Sequence, residues 1–220
     1  MDRQDTRTLA VVTQDRESEA RTPAQPLRRI PMQACDPFTP QPPLQEWPGP
    51  SSLDLSRIAP GRPVAQGEVI EVSGRILDED MRPVSGALVE IWNCNSHGRY
   101  SHIDDNNVDA ALDPNFLGFG RLMTDSGGAY RLRTIRPAAY LARADIGWWR
   151  PPHIHFSILG GGPQLVTQMY FPGDPLNEKD PIHMIIPPEQ RPGSIARTDE
   201  GGLRWDIVMR GRHRTPFDDE

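Results

Sequence analysis

From His153 to Ile158 the chain alternates with period two, setting His153, His155 and Ser157 against Ile154, Phe156 and Ile158. Side chains two apart point to nearly opposite sides of a helix but share one face of a strand. The alternation therefore predicts a half-buried strand whose apolar ridge faces a core. The same strand carries two imidazoles on its other face, close enough to hold one metal ion. Strand histidines can equally be hydrogen-bonded without a metal, so the pair alone leaves both readings open.

The rest of the chain agrees with a β fold. Its 24 prolines and 19 glycines among 220 residues are too many for a helix bundle and favour short strands joined by turns. Residues 69–77 and 86–92 bracket a turn at Asp78–Pro83, and residues 120–124 and 129–135 bracket Asp125-Ser126-Gly127-Gly128. Both pairs are expected to form antiparallel hairpins. Residues 164–171 and 203–209 supply two more strands, while residues 101–115 are too polar for a core and read as a long functional loop. The expectation is an all-β protein, an antiparallel β-sandwich with long functional loops, spanning residues 66–220.

Residues 1–65 differ in composition. They hold prolines at 23, 26, 31, 37, 40, 42, 43, 48, 50, 60 and 63 without sustained periodicity. Leu27, Ile30, Met32, Phe38, Leu44, Trp47 and Leu53 give this segment apolar side chains to bury, which predicts an extended Pro-rich arm packing on the core or on a neighbouring subunit. A formal charge of −6 argues against a nucleic-acid partner. Only Cys35 and Cys94 are present, so neither a disulfide framework nor a Cys-rich zinc site is expected. No run approaches the roughly 18–20 apolar residues of a membrane span, and a cytoplasmic location is expected.

Two of the four tyrosines, Tyr100 and Tyr140, fall in loops where a core role is awkward. Each alone reads as a loop tyrosine with a satisfied hydroxyl. Beside His153 and His155 they gain a second reading, because phenolate oxygen is a hard anionic donor suited to Fe(III).

Seven segments now bear on the chemistry. They are Glu90-Ile91-Trp92, Gly98-Arg99-Tyr100, Asp113-Pro114-Asn115-Phe116, Gly118-Phe119-Gly120-Arg121, Thr134-Ile135-Arg136-Pro137 through Tyr140, Arg150-Pro151-Pro152-His153-Ile154-His155-Phe156 and Thr167-Gln168-Met169-Tyr170-Phe171. In this order and spacing, over residues 66–220, the chain resembles the intradiol ring-cleavage dioxygenases. Within them it is most similar to the iron-binding β-subunit type of the protocatechuate 3,4-dioxygenases. The resemblance implies a non-haem Fe(III), one per chain, held by Tyr100, Tyr140, His153 and His155. It implies that a substituted catechol chelates the iron and displaces Tyr140, which acts as ligand and base. Cleavage by O2 would then give a cis,cis-muconate through a cyclic anhydride. Arg150 matches a catalytic cation that stabilises charge developing on the ring, and Gln168 a polar residue behind the site. Trp92, Ala142 and Ile182 match positions lining the substrate pocket. Partners implied are a catecholic small molecule, O2, and either further copies of this chain or a related α-type subunit.

The chain departs from the β-subunit pattern in the arm, around Thr22-Pro23-Ala24-Gln25, and beside Tyr140. Leu141-Ala142-Arg143 stands where Pro-Trp-Arg is usual, so Ala142 predicts a larger or differently shaped pocket. His97, His102, His183 and His213 need no metal role, and Asp104-Asp105 reads as a solvated loop face. The competing reading is a catalytically silent β-sandwich, a binding module assembled with a related chain. An Fe(II) extradiol or hydrolytic site would use two histidines with a carboxylate rather than two phenols.

Overall fold

A computed structural model describes residues 51–102, 105, 107–160, 162–211 and 214–216. Most of the expected Pro-rich arm, with Cys35, lies outside the described residues, as do Asp104 and His213. Twelve strands are defined among the described residues. They are β1 (Ser52–Asp54), β2 (Val69–Leu77), β3 (Leu88–Trp92), β4 (Phe119–Met123), β5 (Ala129–Ile135), β6 (Tyr140–Arg143), β7 (Trp148–Arg150), β8 (His153–Leu159), β9 (Leu165–Tyr170), β10 (Arg197–Asp199), β11 (Gly202–Arg204) and β12 (Ile207–Val208). Among the described residues there is one short α-helix, α1 (Pro181–Ile185), which starts at Asp180, whose side chain caps it, with proline at the first helical position.

One sheet runs β1-β5-β2-β11-β10, with β12 also paired to β2, and the other runs β4-β3-β8-β9. Their apolar faces meet in one core. Val72, Ile76 and Leu132 come from the first sheet, and Val89, Ile91, Leu122, Ile154, Phe156 and Ile158 from the second. Burying each such side chain stabilises the fold by about 1.5–3 kcal/mol. This is the expected all-β sandwich. The pairings within the second sheet are antiparallel, whereas β1 on β5, and β11 and β12 on β2, run parallel.

Both expected hairpins are corrected. The turn after β2 forms, with Asp78 Oδ1 accepting from the amides of Asp80 and Arg82 at 2.9 Å. The chain then crosses to the other sheet, because β2 has β5 on one edge and β11 and β12 on the other and offers β3 no ladder. The turn at Asp125 likewise forms, but it links β4 in one sheet to β5 in the other. A tight turn specifies reversal of the chain, and a sandwich edge satisfies that as well as a hairpin does.

Residues 203–209, expected as one strand, divide into β11 and β12 around Trp205-Asp206. Gly74 leaves room for the break, since a Cβ there would lie 1.8 Å from the Trp205 carbonyl oxygen. That carbonyl instead accepts from Tyr130 Oη at 2.7 Å, and Trp205 packs in the core.

The stretch from Trp148 to Phe156 is two strands, because Pro151-Pro152 has no N–H to continue a ladder. β7 pairs with β6, so the chain from Tyr140 runs as a strand rather than continuing the loop expected around Tyr140. A 3₁₀ turn at Ala144–Ile146 and Gly147 in the left-handed region (φ 64°) close this ribbon. In β8 both faces are buried, not one, with only Leu159 exposed.

Candidate metal centre

β8 places His153 and His155 on the face turned away from the core, as its alternation requires. Strand register then surrounds them. Trp92 on β3 and Gln168 on β9 lie opposite His155, and Tyr170 lies opposite His153, so all project from the same face. The β6–β7 ribbon pairs Tyr140 with Arg150, three residues before His153.

Tyr100 reaches the histidines from the loop after β3, and that loop is built to hold it. Asn95 Oδ1 accepts from the amides of His97 (2.9 Å) and Arg99 (3.0 Å), fixing the turn. Gly98 has a φ of 79°, and a Cβ there would come within 2.9 Å of Tyr140 Cβ, so glycine allows the two tyrosine-bearing segments to approach. Asp105, expected on a solvated face, is buried and accepts from the Tyr100 amide at 2.6 Å. The reason is that its carboxylate is needed by backbone donors inside the loop, including Asn107 N at 2.8 Å.

Tyr100 Oη stands 3.0 Å from His155 Nε2 and 3.3 Å from His153 Nε2, and the two Nε2 atoms are 3.1 Å apart. Tyr140 stands against the same group, its ring centroid 5.7 Å from that of His153 and 5.6 Å, edge-on, from that of Tyr100. All four residues are buried. Nδ1 of His153 donates to the Pro151 carbonyl at 2.7 Å, which leaves the lone pair on Nε2 aimed into the group. Burial, then the charge of Arg150, then His155 hold this imidazole neutral, well below the usual histidine range. Trp92 stacks flat on His155, with centroids 4.9 Å apart and planes 1° apart. Its Nε1 is buried with no hydrogen-bond partner among the described residues.

The arrangement fits a metal ion. Two donors each about 2.1 Å from a shared first-row ion, at right or tetrahedral angles, stand roughly 3.0–3.4 Å apart, which matches the triangle of Tyr100, His153 and His155. A ring nitrogen whose other nitrogen is tied to a carbonyl is the usual state of a ligand histidine. No three His, Cys, Asp or Glu side chains form a metal-holding group among the described residues, so a metal held here draws on the phenols. Two imidazole nitrogens with two phenolates would suit a hard trivalent cation better than zinc.

Arg150 is buried beside this group. Nη1 donates to His153 Nε2 at 3.2 Å, and Nη2 to Gln168 Oε1 at 2.5 Å, Asp180 Oδ2 at 3.1 Å and Tyr170 Oη at 3.2 Å. Burial opposes its charge, but the oxygens of Tyr140, Tyr170, Asp180 and Tyr100 outweigh that and hold it firmly protonated.

Ala142 is half-buried on β6 against Trp92, Cys94, Tyr100 and Tyr140. Burial pushes the Cys94 thiol up to about 12. Ile182 lies in the first turn of α1, two residues beyond Asp180. Of the histidines set apart from the metal, His97 meets Gln66 Oε1 at 3.3 Å. His183 is buried between the Asn177 carbonyl (2.9 Å) and Ser194 Oγ (3.1 Å), with its ring centroid 4.5 Å from that of Tyr170. Sequence reasoning missed Asp180 and Tyr170. Asp180-Pro181 signals a helix start, but nothing local ties it to Arg150, 30 residues away.

Comparison with known proteins places the chain in a family. The family described as Dioxygenase matches residues 42–211, more than half of the chain. The protocatechuate 3,4-dioxygenase beta chain of Burkholderia cepacia is 45% identical over 213 residues, covering 92% of this chain and 90% of that protein. The catechol 1,2-dioxygenase of Acinetobacter baylyi is 33% identical over 66% of this chain and 49% of its own length, so the chain spans about half of that relative. In fold, it is similar to the crystal structure of 3-chlorocatechol 1,2-dioxygenase from Rhodococcus opacus 1CP. There the TM-score is 0.54 at 23% identity, over 76% of this chain and 68% of the other.

Proposed function

The chain belongs to the intradiol ring-cleavage dioxygenases, and from that membership we propose that Tyr100, Tyr140, His153 and His155 hold one non-haem Fe(III) per chain. The proposed substrate is protocatechuate or another para-substituted catechol, cleaved by O2 to a cis,cis-muconate. The observation that carries this reading is the convergence of Tyr100 Oη and the two histidine Nε2 atoms within 3.3 Å of one another.

Bound there, a ferric ion would supply Lewis acidity and a one-electron acceptor to a catechol. The protein's residues do the rest. Tyr140 Oη, a phenolate while it serves as a ligand, would take one catechol proton and leave as the neutral phenol when the substrate replaces it at the site. With His153 Nε2 committed to a metal, the Nη1 edge of Arg150, held in the same plane, would face an oxygen of the bound catechol. A fixed cation in a buried site stabilises negative charge developing on the ring without reorganisation. Gln168 Oε1 holds Arg150 for this role. Trp92, Ala142 and Ile182 wall the substrate, and the buried indole N–H of Trp92 gives that wall a polar donor. The relative from Burkholderia cepacia is called a beta chain, which supports assembly with an α-type chain or with further copies of this one.

The test is a panel of protocatechuate, catechol, hydroxyquinol and bulkier para-substituted catechols, scored by oxygen uptake and product identity. Purified protein is expected to be coloured by tyrosinate-to-iron charge transfer. Protein that stays colourless and iron-free after anaerobic Fe(II) loading and reoxidation refutes the proposal.

A further inference from the structure

Asp180 is fully buried and its two oxygens serve four donors on three elements. Oδ2 accepts from Arg150 Nη2 at 3.1 Å and from Tyr170 Oη at 3.2 Å. Oδ1 accepts from Trp148 Nε1 and from the Ile182 amide, each at 3.3 Å. The carboxylate thus ties β7, through Trp148 and Arg150, to β9, through Tyr170, and to the first turn of α1. A side chain held by four donors cannot rotate without breaking several bonds at once, so it presents a fixed counter-charge to the guanidinium.

We propose that Asp180 is a positioning residue for ring cleavage, fixing the plane of Arg150 so that its Nη1 edge faces His153 and the substrate bound beside it. The inference rests on the reading of the site as a catechol dioxygenase. Gln168 and Tyr170 meet the same Nη2 atom, and of the three side chains there Asp180 is the carboxylate, which makes the charge-assisted bond to the guanidinium. Asp180 also carries the chain into α1 and Ile182, so one carboxylate sets both the catalytic cation and a wall of the proposed pocket.

The test compares Asp180→Asn and Trp148→Phe with the iron-loaded natural protein. Asp180→Asn keeps the shape and removes the charge. It is expected to keep its iron and its tyrosinate-to-iron absorption while kcat falls about 10²-fold, the scale of a roughly 1 Å misplacement, with KM less affected. Retention of kcat within about twofold overturns the proposal. Should Asp180→Asn not retain iron, Trp148→Phe decides. That variant keeps the ion pair and removes one bond that orients it, so a several-fold fall in kcat at full iron content supports the role, and an unchanged kcat overturns it. A readout without turnover separates this proposal from the one it rests on. In a crystal structure of metal-free Asp180→Asn, the Arg150 Nη1 to His153 Nε2 contact of 3.2 Å is expected to lengthen past hydrogen-bonding range, beyond roughly 3.5 Å. Its persistence overturns the positioning role even if the natural protein cleaves no catechol.

Discussion

The indole of Trp92 lies flat on the imidazole of His155, with planes 1° apart and centroids 4.9 Å apart, because the two residues are direct partners across β3 and β8. The stack fixes the rotation of the ring whose Nε2 faces Tyr100. Replacing Trp92 with Leu keeps an apolar side chain and removes the stack, worth about 0.5–1.5 kcal/mol beyond its burial. The expected outcome is lower iron occupancy in the purified protein, measured by metal analysis, with a lowered urea midpoint.

In the proposed mechanism Tyr140 is set apart from Tyr100 by acting as the base. Tyr140→Phe is expected to fold, since the phenyl ring retains its contacts with His153 and Tyr100. Removing the proton acceptor should lower kcat about 10²-fold or more. The visible absorption should change as one phenolate is lost, and both are read by stopped-flow absorbance.

Ala142 packs against the cluster that includes Trp92, Tyr100 and Tyr140, and a large side chain there reduces the space available to a substrate. Ala142→Trp is expected to lower kcat/KM for bulky para-substituted catechols by about tenfold or more relative to unsubstituted catechol. Competition assays with paired substrates measure that ratio directly.

His183 gives the fold a pH dependence. Its burial, opposed by the bond to the Asn177 carbonyl, holds its pKa below the usual histidine value. The unfolded chain therefore takes up a proton, near about pH 6.5, that the folded chain refuses. The contribution of His183 to stability is whole above that pH and is lost as pH falls towards the lower, folded value. Urea midpoints are expected to drop between pH 7.5 and 5.5, and to drop less in His183→Gln.

The sequence determined more of the site than of the fold. The period-two alternation at His153–Ile158 fixed which side chains share a face, since that follows from strand geometry alone. Tyr100, Tyr140, Arg150 and Gln168 were legible only through their match in order and spacing to other dioxygenases, because no local rule brings residues 53 and 55 positions apart together. Tertiary structure decided the rest. Turn chemistry at Asp78 and Asp125 specified reversals but not whether the chain stayed in its sheet, because a strand pairs with whichever partner also buries its apolar face. The burial of Asp105 and of Asp180 was equally hidden. A carboxylate reads as solvated until the donors that surround it are assembled, and those of Asp180 come from β7, β9 and α1.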